Sequence, residues 1–170
     1  AENITIVTAK EIEAMNAHTV AEVLNRVPGL FVNFNQGIGS FGSASILQIQ
    51  GSAPNQVLVT VDGVPWNSLA SGAAETNSIP IGIVDRIEIV KGPASSSWGS
   101  SLGGAIHIIT KSAGYAVGPS GSIRASYGEH DAQDYRAELK GRKETLAYYL
   151  FGGRQDSDGH DDSRYFENNA

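Results

Sequence analysis

Side-chain character alternates without interruption from Ser122 to Tyr127, with Ile123, Ala125 and Tyr127 on one side and Ser122, Arg124 and Ser126 on the other. Tyr135 to Gly141 repeats the pattern, setting Tyr135, Ala137 and Leu139 against Arg136, Glu138 and Lys140. Leu146 to Gly152 adds a third, more apolar and aromatic run. Because successive strand residues face opposite ways, this spacing predicts three antiparallel strands with one apolar and one polar face. An apolar face needs a cover. A protein core would make the segment a soluble β-meander packed on the rest of the chain. Lipid would make it the start of a transmembrane barrel, whose strands need about 9–11 residues each. Three strands cannot close a barrel, and an open sheet in hydrocarbon leaves its edge amides without partners. On the lipid reading the segment therefore belongs to a longer chain.

Strands are the only membrane-crossing device on offer. The longest apolar runs, Val57 to Val61 and Ala105 to Ile109, fall far short of the ~20 residues a spanning helix needs. No basic stretch followed by an apolar run opens the chain, so a secretory signal is expected to have been removed or never present. Cysteine is absent, which excludes disulfides, thiolate metal sites and cysteine nucleophiles. A net charge of −6 and twelve scattered Lys and Arg leave no positive field for phosphate backbones, so no nucleic-acid partner is expected.

A different regime precedes the alternating one, and the two meet in SAGYAVGPS (112–120), a small-residue stretch punctuated by Gly and Pro. In the first regime Ile4 to Val7 reads as a short strand. Thr8 and Glu11 have capping-box spacing for a helix start, and Thr19 and Glu22 repeat it. Val20, Val23, Leu24 and Val27 form one apolar helical stripe, ended by Pro28 and Gly29. Strand-like runs follow at Leu30 to Phe34, Ile46 to Gln50, Val57 to Val61, Arg86 to Val90 and Ala105 to Thr110. Short helices and strands mixed in this way predict an α+β domain.

The stretch VLVTVDGVP (57–65) ends a strand with Asp62 and Gly63, a pair suited to positive φ. Further on come IVDRIEIVKGPAS (83–95) and WGSSLGGAIHIITK (98–111). With NRVPG (25–29), Gln50-Gly51 and the Asp62-Gly63 turn in the same order, residues 4 to 111 closely resemble the plugs of TonB-dependent outer-membrane receptors. The resemblance implies a small mixed-sheet plug with short helices over 1–112, followed over 113–170 by about three antiparallel strands of an incomplete transmembrane β-barrel. It further implies a seat inside a barrel of about 22 strands in the Gram-negative outer membrane, accessible from the periplasm. The partners implied are the rest of the barrel, TonB and a scarce nutrient such as a siderophore or cobalamin. The TonB-contacting box normally precedes the first plug strand. Only Ala1, Glu2 and Asn3 stand there, so the chain is expected to lack that segment.

The same resemblance puts ligand contacts on two apex loops, Asn33 to Ser45 and Val64 to Thr76, with Asn35, Gln36, Phe41, Trp66 and Asn67 as candidates. It implies plug–barrel contacts at Gln50, Arg86, Glu88 and Lys91. Gln50 and Lys91 stand where the family commonly has arginine, and His107 where it commonly has asparagine. Lysine offers a point charge in place of a bidentate fork. Gly92, Pro93, Gly99, Gly103 and Gly104, like Asp62 and Gly63, read as structural turn and close-approach positions.

Enzyme readings find little to use. There is no Walker loop, Ser95, Ser96 and Ser97 form no nucleophile elbow, and His107 sits in an expected strand with no orienting carboxylate evident. No catalytic residue, resident cofactor or transition-metal site is assigned, and His18, His130 and His160 are isolated. Asp156, Asp158, Asp161 and Asp162 surround Gly159 and could offer calcium hard oxygen ligands in an extracellular loop, although a solvated acidic loop is the plainer reading. The chain is therefore expected to gate and bind without bond chemistry. A soluble envelope binding module with a plug-like fold is the alternative.

Overall fold

The computed structural model describes residues 3–34, 45–92, 101–112, 118–127, 133–143 and 146–156. They fall into two compact units, Ala1–Lys111 and Ser112–Ala170. In the first unit β1 (Asn3–Thr8) leads into α1 (Ala9–Met15), followed by α2 (Val20–Asn25), β2 (Leu30–Phe34) and β3 (Ser45–Ile49). Then come β4 (Val57–Val61), β5 (Val64–Pro65), β6 (Val84–Lys91) and β7 (Gly104–Thr110).

Both helix starts are chemically fixed. At α1 the Thr8 and Glu11 side chains cap each other's backbone reciprocally, and Asn16 ends the helix in the left-handed conformation at φ 47. At α2 the Thr19 hydroxyl receives Glu22 N, but the reach-back differs: Glu22 Oε2 accepts from His18 N at 3.2 Å and Oε1 from Thr19 Oγ1 at 3.4 Å. The carboxylate is buried, so these bonds satisfy it where water cannot. Helix α2 stops at Asn25, earlier than the expected Pro28. Val27 precedes a proline and is disfavoured in helix, and Asn25 Oδ1 instead accepts from Val32 N at 3.3 Å.

The main sheet runs β1-β6-β7-β4-β5, with β4 and β7 parallel and all other pairs antiparallel. Strands β2 and β3 form a separate hairpin. On one face of the main sheet Val7, Ile87, Ile89, Ile106, Ile108, Val57 and Val59 are buried. They form one core cluster with Val20, Val23 and Leu24 of α2 and Val32, Leu47 and Ile49 of the hairpin. The expected helical stripe is thus the inward side of α2.

The second unit has three long strands in the order β10-β9-β8: β8 (Ser120–Tyr127), β9 (Gln133–Lys143) and β10 (Leu146–Asp156), antiparallel throughout. Strands β9 and β10 each run 11 residues. Ile123, Tyr127, Tyr135, Leu139, Leu146 and Leu150 are all exposed, with Ile123 at 88%. The alternation places these six on one face. The other face is polar and internally bonded: Arg136 pairs with Asp134, and Glu138 accepts from Ser122 Oγ and Tyr149 Oη, each at 3.0 Å. Among the described residues these strands do not close into a barrel. No helix among them is long and apolar enough to cross a membrane.

Candidate ligand-binding and gating site

The segment after β5 is a hairpin laid against the free edge of β4. Trp66 N donates to Val59 O at 2.8 Å. Asn67 then continues along that edge: Oδ1 accepts from Val59 N and Nδ2 donates to Val57 O, both at 2.8 Å. A second Nδ2 bond reaches Gly72 O at 2.7 Å. Asn67 takes the place of a neighbouring strand, and both its amide hydrogens are consumed inside the fold. Both donors of this expected ligand contact are thus engaged within the fold. Trp66 differs: its Nε1 donates to Glu75 O at 3.2 Å, while the ring remains 43% exposed. Asn35, Gln36 and Phe41 lie outside the described residues.

Lys91 points inward to the fold's own chain, with Nζ donating to Pro28 O at 2.7 Å. It pins the Pro28-Gly29 turn to the end of β6. Gln50, expected as the last residue of β3, lies beyond it at φ 49, followed by Gly51 at φ 79, and its amide donates to Gly29 O at 2.8 Å. Lys91 and Gln50 thus hold the same turn from two sides. Arg86 is exposed and flanked by acids, donating through Nε to Glu88 Oε1 at 2.8 Å, with Asp85 Oδ2 at 3.4 Å. The Glu88 hydrogen bond above all raises the guanidinium's pKa further, so it carries its charge at any physiological pH. Exposed pairs of this kind add little stability but leave a charged cluster on the open sheet face.

The turn positions resolve into distinct geometries. Asp62 and Gly63 at φ 49 and 84 form the β4–β5 turn. Asp62 also reaches across the sheet to Thr110, 48 residues on. Gly104 sits at φ 136, where a Cβ would overlap the Val90 carbonyl, and a Cβ on Gly103 would overlap the Ser52 side chain. Gly92 lies at φ 90 with its amide bonded to Gly103 O at 3.3 Å. Pro93 and Gly99 lie outside the described residues.

His107 Nδ1 meets Thr60 Oγ1 at 2.8 Å across the β4–β7 ladder, and Glu88 is its register partner on β6. Ser95, Ser96 and Ser97 lie outside the described residues. Asp156 is the last residue of β10, paired with Gln133, and so belongs to a strand and not to the expected loop. Asp158, Asp161 and Asp162 lie outside the described residues.

Residues 1–106 match a family model described as the TonB-dependent Receptor Plug Domain. The chain belongs to this plug family. The chain is 38% identical over 133 residues to a vitamin B12 transporter BtuB of Vibrio cholerae serotype O1, spanning 78% of this chain and 21% of that protein. A vitamin B12 transporter BtuB of Vibrio vulnificus is 37% identical over 161 residues, spanning 92% of this chain and 25% of that one. The chain thus spans at most about a quarter of these curated relatives. The siderophore receptor PirA of Acinetobacter baumannii superposes with a TM-score of 0.64 at 25% identity, over 89% of this chain and 24% of that one. The pyoverdine outer membrane receptor FpvA of Pseudomonas aeruginosa gives 0.73 at 22% identity, over 92% of this chain and 22% of that one, a likeness of fold alone. A mixed-sheet plug with two short helices followed by antiparallel strands is the arrangement expected from the sequence.

Proposed function

We propose that this chain is the gate, and part of the ligand-binding surface, of an outer-membrane receptor that imports a scarce large solute of the siderophore or cobalamin kind. TonB supplies the pull that opens it, and the chain performs no bond chemistry. Plug membership and the vitamin B12 transporters among its relatives support the reading. The observation that carries the membrane part is the apolar face of β8 to β10. Ile123, Leu146 and Leu150 stand 88%, 66% and 60% exposed there, opposite a bonded polar face. Lipid on one side and a wet lumen on the other is the environment such a sheet matches. Tyr127 and Tyr135, at the β8–β9 end of the apolar face, suit the interfacial girdle of a barrel.

The test is fractionation of Gram-negative cells producing the native protein, together with uptake of labelled cobalamin or ferric siderophore with and without TonB. Extraction from the outer membrane only by detergent, and uptake lost without TonB, are the expected results. Recovery in the soluble periplasmic fraction would sink the proposal in favour of an envelope binding module.

A further inference from the structure

The apolar face of β8 to β10 ends in a charge at a defined level. Directly paired strand residues share a side of the sheet. The register sets Arg154 opposite Tyr135 and Tyr135 opposite Ala125, which puts Arg154 on the face of Ile123, Tyr127 and Leu139. Arg154, Tyr127 and Tyr135 are all exposed there. Between Arg154 at one end of this face and Lys143 at the other, its described residues carry no charge. The strand closes at Asp156, two residues beyond Arg154. Tyr135 and Lys143 stand eight residues apart on β9, about 27 Å along a strand, or about 21 Å of membrane thickness at a tilt of about 40°. The apolar band of a transmembrane barrel is about 25 Å tall, so Arg154 falls at its edge, level with Tyr135. Two residues separate β9 from β10, whereas five separate β8 from β9. Barrels of this type turn tightly on the periplasmic side and loop more widely outside, so the Arg154 end faces outward.

A guanidinium turned toward lipid is costly in hydrocarbon and settles where anions meet it. At the edge of the band those anions are headgroup phosphates, whose oxygens match its planar fork. Arg154 also has a partner within the protein, and the several N–H donors of a guanidinium serve both. Tyrosine hydroxyls at the same level add donors with an apolar ring beneath them. We infer that Arg154, with Tyr135 next to it and Tyr127 one strand further, binds the phosphate of an outer-leaflet lipid whose acyl chains lie on Ile123, Leu139 and Leu150. This rests on the barrel reading above and adds a lipid site to it.

The experiment uses the intact receptor in a neutral detergent and native mass spectrometry, with bisphosphorylated lipid A and its enzymatically dephosphorylated form as probes. Wild type is expected to retain more of the phosphorylated probe. Arg154→Gln should hold one phosphorylated lipid fewer, its affinity at that site falling about tenfold, on the order of one charge-assisted bond. Arg154→Lys should fall between the two, keeping the charge without the fork. Because Arg154 is exposed, neither variant should alter the melting temperature. Millimolar inorganic phosphate should leave the lipid in place, since it brings no acyl chains to the apolar face. Equal retention of both probes, or as many phosphorylated lipids on Arg154→Gln as on wild type, overturns the inference. So does displacement by inorganic phosphate, which would make a free anion the ligand. If the receptor is still extracted from the outer membrane only by detergent, these results remove the lipid site and leave the barrel reading standing. Recovery as a soluble periplasmic protein would remove both.

Discussion

Asp62 holds Thr110 with both carboxylate oxygens: Oδ1 accepts from Thr110 N at 2.9 Å and Oδ2 from Thr110 Oγ1 at 2.6 Å. The two residues stand at the ends of the parallel strands β4 and β7, and Asp62 N returns a bond to Ile108 O at 2.9 Å. Asp62→Ala should remove both acceptors and place alanine at a left-handed φ of 49, costing about 2–4 kcal/mol together. Asp62→Asn keeps an acceptor and tolerates that φ, so its cost should be nearer 1 kcal/mol, on the order of one weakened hydrogen bond. Hydrogen exchange of the intact receptor checks this at the Thr110 amide. Wild-type protection there in Asp62→Ala would mean the clamp carries no weight.

Gly104 and Gly51 both have positive φ, at 136 and 79, but differ in the space a side chain would meet. A Cβ at Gly104 runs into the Val90 carbonyl and the Ile49 side chain, whereas one at Gly51 meets nothing within 4 Å. Gly104→Val should therefore cost more than about 4 kcal/mol, combining backbone strain with displacement of the β6–β7 ladder. Gly51→Ala should cost only about 1 kcal/mol, from its φ alone. Thermal melts of the two variants decide it, and equal losses would show that close approach at Gly104 is unimportant.

What the sequence made legible was periodic or local. The Leu30–Phe34 and Val57–Val61 strands, the Thr8–Glu11 capping box and the alternating barrel-type strands all rest on neighbours within a few residues. So does the Asp62-Gly63 turn. Partners chosen by tertiary folding were not legible. Lys91 read as a plug–barrel contact, and nothing local marks the carbonyl 63 residues away in sequence that its ammonium bonds. Asn67 read as a loop amide for ligand, yet its bonds complete an edge of β4. An Asn after a Trp in a loop carries no local mark of that role.

Asn67 should behave as framework of the hairpin edge. Asn67→Ala leaves Val57 O, Val59 N and Gly72 O without their partners at a half-buried position, a loss of about 2–3 kcal/mol. Its effect on ligand binding should follow that loss of stability. A melting temperature unmoved by Asn67→Ala would mean that these edge bonds carry no weight.

Glu11 gives the plug a small acid-sensitive element at its N-terminal helix. Its Oε2 accepts from Thr8 N at 2.8 Å and from Thr8 Oγ1 at 2.7 Å. The backbone bond first and the hydroxyl bond second hold the carboxyl below its ordinary value of 4.5. The native state therefore favours the ionised form, and on acidification the unfolded chain takes up the proton first. The contribution to stability is fully present above about pH 4.5 and fades as pH falls through the lower native value. Glu11 is exposed, so the effect is confined to the junction of β1 and α1 and is weakened by salt. The prediction is that exchange protection of the Thr8 amide, corrected for intrinsic rates, stays level from neutral pH to about 5 and declines below it. Glu11→Gln keeps the spacing but not the charge, so its protection should be lower at neutral pH and flat across the same range. An equal acid decline in Glu11→Gln would assign the sensitivity to another carboxylate.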